Sequence, residues 1–90
     1  MSFDSRPILY VAPGSTSCLD SIRYLSHHRV EYRQHDVSRD RDAKRDLVKQ
    51  SGQDHVPALI WDKDVLVDFS DHDLDCFVRR HRAVRQLLFP

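Results

Sequence analysis

Apolar residues in the first third of the chain change from the spacing of a strand to that of a helix. Residues 7–12, PILYVA, form a short β-branched and aromatic run that ends at Pro-Gly, as is typical of a buried strand. The following apolar residues recur at helical spacing: Cys18, Leu19, Ile22 and Leu25. The pattern predicts a helix that begins near Ser17, with Thr16 or Ser17 as its N-cap, and ends near residues 26–29.

The middle of the chain repeats this change of period. Residues 30–37, VEYRQHDV, alternate apolar and polar side chains, which indicates a strand with one face in water. Residues 38–52 are highly charged and end at Gly52, a residue type that commonly terminates helices. We predict a second helix here, with a thin apolar stripe of three residues: Ala43, Leu47 and Val48.

The second half predicts two more strands and a last helix. Residues 56–61, VPALIW, and 65–69, VLVDF, are separated by Asp-Lys-Asp, which indicates a β-hairpin. Ser70 and Asp73 have the spacing of a capping box and predict the start of a helix. Its inward face would carry three residues: Leu74, Phe77 and Val78.

The predicted order is therefore strand, helix, strand, helix, strand, strand, helix. A strand–helix–strand unit needs a right-handed crossover between parallel strands, and the hairpin adds antiparallel strands. We expect an α/β fold with one four-stranded mixed sheet and helices on both faces. Ninety residues allow one domain. We assign it to residues 1–90, with a core of about 6–82 and residues 83–90 as a helical extension or tail.

Composition and charge argue against several function classes. The chain has 2 Gly, 4 Pro, 40% hydrophobic and 31% charged residues, which is an ordinary globular balance. Its 14 basic and 14 acidic side chains cancel, so we expect no general attraction to nucleic acid or to a membrane surface. No membrane-spanning run and no signal-peptide core is apparent, so we expect a cytoplasmic protein. Its two cysteines are expected to be free thiols.

Three segments together resemble the glutaredoxin family of the thioredoxin superfamily. Residues 10–18, YVAPGSTSC, resemble the active-site stretch of that family, where Tyr, Pro and often Gly precede Cys-x-x-Cys. Residues 55–61, HVPALIW, resemble its Thr-Val-Pro, in which the proline is cis. Residues 65–74, VLVDFSDHDL, resemble the last strand and the loop into the final helix. The resemblance covers roughly residues 6–82 and implies a thioredoxin-like (glutaredoxin) fold.

The resemblance also implies a site that binds glutathione. Ser15 stands in the position of the family's nucleophilic cysteine, and Cys18 in that of its resolving cysteine, so these two are the candidate catalytic residues. Residues at matching positions are implied to contact glutathione: Tyr10, Val56, Pro57, Ser70 and Asp71. Ser70 and Asp71 would receive its γ-glutamyl carboxylate, because a helix N-terminus favours an anion.

Four positions depart from the family's pattern. Ser15 replaces the sulfur that attacks disulfides, and Ala12 stands where many glutaredoxins have a lysine that lowers the pKa of the thiol. His55 replaces the usual threonine before Val-Pro. Asp68 replaces the usual glycine and brings a negative charge towards a groove meant for an anionic tripeptide.

The serine decides which chemistry is expected. A helix dipole contributes about 1 kcal/mol, or roughly one pKa unit, which is too little to form an alkoxide. Oxygen also cannot form the mixed disulfide through which exchange proceeds. We therefore expect Ser15 to cap the helix and dithiol exchange to be weak or absent. The alternative is that Ser15 activates the thiolate of bound glutathione, as in some glutathione transferases, although their second domain is lacking here.

The cysteines leave another alternative open. Cys18 lies one turn inside the first helix on its apolar face, where a thiol is commonly buried and unreactive. The alternative is that Cys18 is the sole working thiol of a glutathione-dependent oxidoreductase. Cys76 is interpreted as a core or half-exposed thiol of the last helix.

Metal chemistry is not expected. Single-cysteine relatives ligate iron–sulfur clusters through the first cysteine, which Ser15 replaces. His27 and His28 are adjacent and point in different directions on a helix, and the other histidines are scattered. His55 is interpreted as a surface residue, with a hydrogen bond to Ser15 as the alternative.

The last helix suggests a different kind of function. Residues 79–85, RRHRAVR, are interpreted as a solvated cationic helix end, with a docking face for an acidic protein partner as the alternative. That face would be carried by three side chains: Arg79, Arg80 and Arg82. The apolar residues 87–89 either pack on the fold or form a contact patch.

Together these features predict a glutaredoxin-like protein of thiol and glutathione redox metabolism. In the leading interpretation it is weakly active or non-catalytic and binds glutathione or a thiol-containing protein partner. One alternative is a glutathione-dependent oxidoreductase or transferase-like enzyme. The other is a structural protein-interaction module.

Overall fold

The computed structural model describes residues 6–88, with side chains up to residue 82. Seven elements follow in the predicted order: β1 Ile8–Val11, α1 Thr16–His27, β2 Arg33–Asp36, α2 Arg41–Ser51, β3 Ala58–Trp61, β4 Asp64–Val67 and α3 Asp71–Leu88. The sheet has the order β2-β1-β3-β4. β1 runs parallel to β2 and antiparallel to β3, and β3 is antiparallel to β4. The predicted parallel pairing of the first two strands and the predicted mixed sheet are confirmed.

β2 is shorter than the alternation of residues 30–37 predicts, because the chain first has to end α1. The Val30 N–H donates to the Leu25 carbonyl at 2.9 Å, so Val30 belongs to the helix end. Val30 is buried and Tyr32 packs against the same apolar cluster. Both residues therefore contribute to the core before the ladder begins at Arg33.

α2 begins later than predicted, at Arg41, because Asp40 caps it. The Asp40 carboxylate accepts hydrogen bonds from the N–H groups of Asp42 and Ala43 at 3.0 and 3.1 Å. Gly52 has a φ of 75°, in the left-handed region that glycine adopts without a Cβ clash, and ends the helix as predicted.

Both strands of the hairpin β3–β4 are shorter than the sequence indicates at the end away from the turn. Trp61 pairs with Asp64, so Asp62 and Lys63 form a two-residue turn, and Asp62 has the positive φ that such turns use. At the other end, the Val56–Pro57 peptide bond is cis and proline has no N–H for the ladder. Asp68 has a φ of 49°, which ends β4.

Apolar side chains form one cluster on each face of the sheet. On the first face, β1 and β3 pack against α1 and α3 through Leu9, Val11, Cys18, Leu25, Leu59, Trp61, Leu74, Phe77 and Val78. On the second face, α2 covers Tyr10, Ala58 and Ile60 with Ala43 and Leu47. Val48 was predicted to share this stripe, and that prediction is wrong: its side chain is 44% exposed. Consecutive helical residues point about 100° apart, and because Leu47 points directly at the sheet, Val48 lies beyond the edge of the covered stripe.

α3 is held at its start and in its middle. Ser70 and Asp73 form the predicted capping box. Further along, the His81 ring stacks on Trp61 at a centroid distance of 4.7 Å, and its Nε2 lies 3.1 Å from the Asp64 carboxylate. The backbone of residues 83–88 continues the helix, while the predicted packing of 87–89 lies outside the described side chains. No described helix is long and apolar enough to cross a membrane.

Candidate functional site

Ser15 is the N-cap of α1. Gly14, with a φ of 83°, turns the chain after β1, so Ser15 is the last extended residue before the helix. Its hydroxyl accepts a hydrogen bond from the Cys18 N–H at 3.3 Å. The predicted capping by Ser15 is confirmed, whereas Thr16 and Ser17 were wrong as N-caps because both already lie in the first turn.

Cys18 points into the apolar cluster rather than into solvent. Its side chain is 2% exposed, as predicted, and it packs with Leu9 and Val11 of the adjacent strand. Cys76 is exposed on α3, with its sulfur 3.7 Å from His72 Nε2. Both cysteines are free thiols. A ligand at the start of α1 therefore meets the Ser15 hydroxyl, while Cys18 is almost fully buried, although it contributes to the wall of the cavity beside Ser15.

A cavity of about 210 Å³ lies beside Ser15. Its walls include Pro13, Leu19 and Ile22, together with Gln34 and Asp36 from β2. Leu19 shares the helical spacing of the apolar residues Cys18, Ile22 and Leu25, but its side chain is 54% exposed. The Asp36 carboxylate accepts hydrogen bonds from the Ser38 hydroxyl and N–H at 2.6 and 2.9 Å, which hold its pKa below the usual value. The cavity thus combines an apolar wall with a fixed negative charge.

Gln34 and Asp36 are site residues that the sequence interpretation missed. The parallel register pairs Leu9 with Gln34 and Val11 with Asp36, so both polar side chains lie on the α1 face of the sheet. The alternation of residues 30–37 indicated that this strand has polar positions, but not which helix they face.

Val56 and Pro57 lie at the same end of the sheet as Ser15. The antiparallel register pairs Tyr10 with Ala58, and this places Pro57 beside the end of β1. Both residues are half-buried. The fold therefore brings the Ser15 loop and the Val-Pro segment together, as the resemblance implies, although neither residue lines the cavity beside Ser15.

The N-terminus of α3 already holds an anion. The Ser70 N–H donates to the Asp73 carboxylate at 3.0 Å, and the Asp73 N–H donates to the Ser70 hydroxyl at 3.2 Å. These hydrogen bonds from Ser70 lower the pKa of Asp73. Asp71 is exposed and lines an open depression beside Asp20 and Arg23 of α1. The Asp73 carboxylate thus lies beside the predicted carboxylate site, and glutathione binding at Ser70 and Asp71 stays a prediction.

Tyr10 does not share this surface. Its side chain is 2% exposed and lies in the cluster under α2, on the face of the sheet opposite to Cys18. Burial raises the pKa of its phenol, with a further contribution from Asp46. Adjacent strand residues point to opposite faces, so the placement of Tyr10 in a glutathione site is corrected.

The histidines are the side chains that could act as a partner for Ser15 or as metal ligands. His55 is exposed, and its backbone N–H donates to the Gln53 side chain at 2.7 Å. Within the described residues its ring has no hydrogen bond to Ser15. No group of three or more His, Cys, Asp or Glu side chains in residues 6–82 is placed to hold a metal ion.

Known structures share this architecture. The thioredoxin-like protein BC3987, whose crystal structure is known, is 24% identical in sequence to this chain. The two structures have a TM-score of 0.73, and the match covers 78% of this chain and 96% of that one. A mutant of that protein is 23% identical, with a TM-score of 0.76 over 81% and 99%. The glutaredoxin of Archaeoglobus fulgidus is 12% identical, with a TM-score of 0.76 over 84% and 88%. At these identities the similarity shows the fold alone, and it confirms the predicted thioredoxin-like fold.

Sequence comparison shows the family of this chain. No curated protein matches this sequence. The family model described as Glutaredoxin, however, matches residues 8–66, which is more than half of the chain. It spans the Ser15 loop, the Val-Pro segment and most of the hairpin. The chain therefore belongs to the glutaredoxin family.

Proposed function

We propose that this glutaredoxin-family protein binds a cysteine-containing segment of a protein partner and does not catalyse dithiol exchange. The binding surface is the end of the sheet formed by Pro13, Ser15, Leu19, Val56 and Pro57, here called the Ser15 surface. The observation that carries the proposal is that two residues three positions apart at the start of α1, Ser15 and Cys18, have different environments. Ser15 supplies a hydroxyl that caps the helix, and Cys18 supplies a thiol that is 2% exposed.

Dithiol exchange needs an accessible thiolate that attacks a disulfide sulfur. At the Ser15 surface an alcohol stands in place of that thiolate. Its oxygen accepts a hydrogen bond from the Cys18 N–H and cannot form a disulfide. The buried sulfur of Cys18 would have to leave the apolar cluster to react. Recognition can persist under these conditions, because the Val56–Pro57 backbone and the apolar wall at Leu19 do not depend on a thiol.

The charges around this end of the sheet favour a protein segment over glutathione. Asp73 neutralises the N-terminus of α3, and Asp36 lies at the cavity beside Ser15. Asp68, which follows β4, and Asp71, the first residue of α3, add two exposed carboxylates. Glutathione carries two carboxylates, and like charges at short range repel. These aspartate carboxylates would instead attract a segment in which basic residues flank the cysteine. The stems of those flanking side chains would contact Leu19.

The binding test compares three ligands by NMR: a blocked Arg-Cys-Arg peptide, its Arg-Ser-Arg analogue and reduced glutathione. We expect the cysteine peptide to shift the amide signals of Ser15, Leu19 and Val56, and to bind more tightly than either comparison ligand. Asp71→Asn should weaken binding of the cysteine peptide, whereas Asp42→Asn on α2 should leave its affinity unchanged. Tighter binding of glutathione at these residues would overturn the choice of partner. The absence of shifts with all three ligands would overturn the assignment of the Ser15 surface as a binding site.

The exchange test measures reduction of a glutathione mixed disulfide. Ser15→Cys places a thiol at the helix N-terminus, where thiolates are stabilised, and should raise the rate more than about tenfold over the wild type. Cys18→Ser in the wild-type background should leave the low basal rate unchanged. A measurable wild-type turnover that disappears in Cys18→Ser would instead establish a single-thiol enzyme.

A further inference from the structure

The outer edge of β4 has no strand beside it. The sheet order is β2-β1-β3-β4, so in the described part of the chain β4 pairs with β3 alone. We propose that this edge binds an extended, basic segment of a protein partner, which adds a further antiparallel strand to the sheet. The proposal does not depend on the function proposed for the Ser15 surface.

The backbone of β4 presents the hydrogen-bonding groups of two valines to this edge. In a two-residue hairpin turn the flanking residues, here Trp61 and Asp64, form a hydrogen-bonded pair. Hydrogen-bonded and non-hydrogen-bonded pairs alternate along antiparallel strands, so Val65 and Val67 belong to pairs of the second kind. Their N–H and C=O groups therefore point away from β3. A further strand can satisfy these two donors and two acceptors.

The side chains of β4 lack the features that commonly protect the edge of a sheet. Residues 65–67 are Val-Leu-Val, all half-buried, and they pair with β3 without a bulge. β2, at the other edge, has only polar or charged side chains. Exposed edges are commonly blocked by charges, proline or bulges, because their free backbone groups recruit other strands. β4 is thus the edge of this sheet that is open to pairing.

Acidic side chains flank this edge and determine which strand fits it. Three exposed aspartates lie there: Asp62, Asp64 and Asp68. Lys63 is the one basic residue in the same stretch of sequence. The Asp64 carboxylate lies 3.1 Å from His81 Nε2, but its side chain is still 63% exposed. Opposite charges on facing strand residues are stabilising, so the edge favours a segment with basic side chains.

The same charges argue against a second copy of this chain as the occupant. Antiparallel pairing of two β4 strands through all four free groups would set Val65 opposite Val67, and therefore Asp64 opposite Asp68. Like charges on facing residues are destabilising. A fitting segment has a β-branched residue opposite Leu66 and basic residues two positions before and after it. The edge therefore selects two basic residues four positions apart.

The test is a titration of the full chain with the blocked peptide Lys-Thr-Val-Thr-Lys at constant ionic strength, followed by NMR. We expect saturable shifts at the amides of Val65 and Val67. Their hydrogen exchange should slow by at least about fivefold at saturation, because each N–H gains an acceptor. The Leu66 amide should change less, since Leu66 is already in a hydrogen-bonded pair with Leu59.

Two control peptides separate strand pairing from charge attraction. Lys-Pro-Val-Pro-Lys keeps both charges but has no N–H groups for the Val65 and Val67 carbonyls. It should bind at least about tenfold more weakly, because two hydrogen bonds are lost. Glu-Thr-Val-Thr-Glu keeps the backbone donors, reverses the charges and should also bind more weakly. Equal binding of the proline peptide would overturn strand addition, and equal binding of the glutamate peptide would overturn the basic partner.

Asp68→Asn tests the acidic flank in a chain that keeps its fold. Asparagine also adopts the left-handed conformation that Asp68 has at a φ of 49°, so the end of β4 is preserved. This variant should weaken binding of the lysine peptide about threefold, as expected for an exposed ion pair. Asp42→Asn removes the same charge from an exposed position on α2 and should leave the affinity unchanged.

Four results would overturn the proposal. The first is equal weakening in Asp68→Asn and Asp42→Asn, which would show general charge attraction. The second is a set of shifts confined to the Ser15 surface, and the third is no saturable shift up to about 10 mM peptide. The fourth is exchange at Val65 and Val67 that slows with protein concentration in the absence of peptide, which would identify a second copy as the occupant.

Discussion

Ser15 and Cys18 show how one helical turn separates two environments. Ser15 lies just before α1, where its hydroxyl accepts a hydrogen bond from the Cys18 N–H. Cys18 lies one turn later, with its side chain in the core. A buried thiol in apolar surroundings is shielded from reagents, whereas the Cys76 thiol on α3 is exposed. The two cysteines should therefore differ sharply in reactivity.

We predict that a colorimetric disulfide reagent modifies one thiol per native chain rapidly and the second only on unfolding. The fast thiol is Cys76, which also has the His72 ring 3.7 Å from its sulfur. Cys76→Ser should abolish the fast phase and leave the slow one, and Cys18→Ser should do the reverse. Two fast thiols in the wild type would contradict the buried position of Cys18.

At the scale of elements, one polar cluster joins α1 to α3. The Tyr24 hydroxyl donates to the Asp75 carboxylate, which also forms an ion pair with Arg79 at 2.9 Å. The hydrogen bond from Tyr24, followed by Arg79, lowers the pKa of Asp75. Burial, with the same hydrogen bond, raises the pKa of Tyr24 to about 12. The pair is thus strongest with Asp75 ionised and Tyr24 protonated.

We predict that Tyr24→Phe lowers the free energy of unfolding at neutral pH and that this loss shrinks in acid. The folded pKa of Asp75 lies below its unfolded value, so its contribution is present above about pH 4 and lost as the pH falls through the folded pKa. For Tyr24 the folded pKa is the higher one, so the contribution is complete below about pH 10 and lost as the pH rises through about 12.

The measurement is urea unfolding of wild type and Tyr24→Phe between about pH 2 and pH 8. Tyr32→Phe is the matched control, since in the described part of the chain the Tyr32 hydroxyl makes no hydrogen bond. A loss in Tyr24→Phe that is the same at all pH values would show that packing of the ring, rather than the bond to Asp75, is responsible.

At the scale of the whole molecule, stability depends on two thin cores. The α2 face of the sheet has five buried side chains, and Leu47 is one of them with no exposed surface. A domain of this size has a net stability of about 5–15 kcal/mol. A single cavity on either face therefore removes a large fraction of it.

We predict that Leu47→Ala lowers the free energy of unfolding by about 3 kcal/mol, because the lost methyl groups leave a cavity under α2. Val48→Ala is the matched control on the next residue, and its exposed side chain should cost less than about 0.5 kcal/mol. Chemical unfolding monitored by Trp61 fluorescence measures both. Similar losses in the two variants would contradict the orientation of α2.

Most of the fold could be predicted from the sequence, because its signals are local. The order of the seven elements, the stop at Gly52 and the capping box of Ser70 with Asp73 each depend on residues a few positions apart. Element ends were less predictable. Val30 completes α1 rather than entering β2, since a hydrogen bond to Leu25 competes with the ladder.

The site could be predicted only in part. The sequence predicted Ser15 as the cap of the helix that carries Cys18, and the resemblance implied that Val56 and Pro57 belong to the same site. The structure brings these segments to the same end of the sheet. The sequence could not show that Tyr10 lies beneath the other face, since which side of a strand is covered by which helix depends on packing.

The sequence by itself therefore determined the order of the elements, the stop of α2 at Gly52, the capping box of Ser70 with Asp73 and the absence of a cysteine at position 15, because each follows from neighbouring residues and from residue chemistry. Only the tertiary structure decided which charges meet. Asp36 comes to the cavity beside Ser15, and Arg29 and Arg82 come together across 53 residues of chain. Exposure and electrostatic environment depend on groups far apart in sequence, and packing brings those groups together.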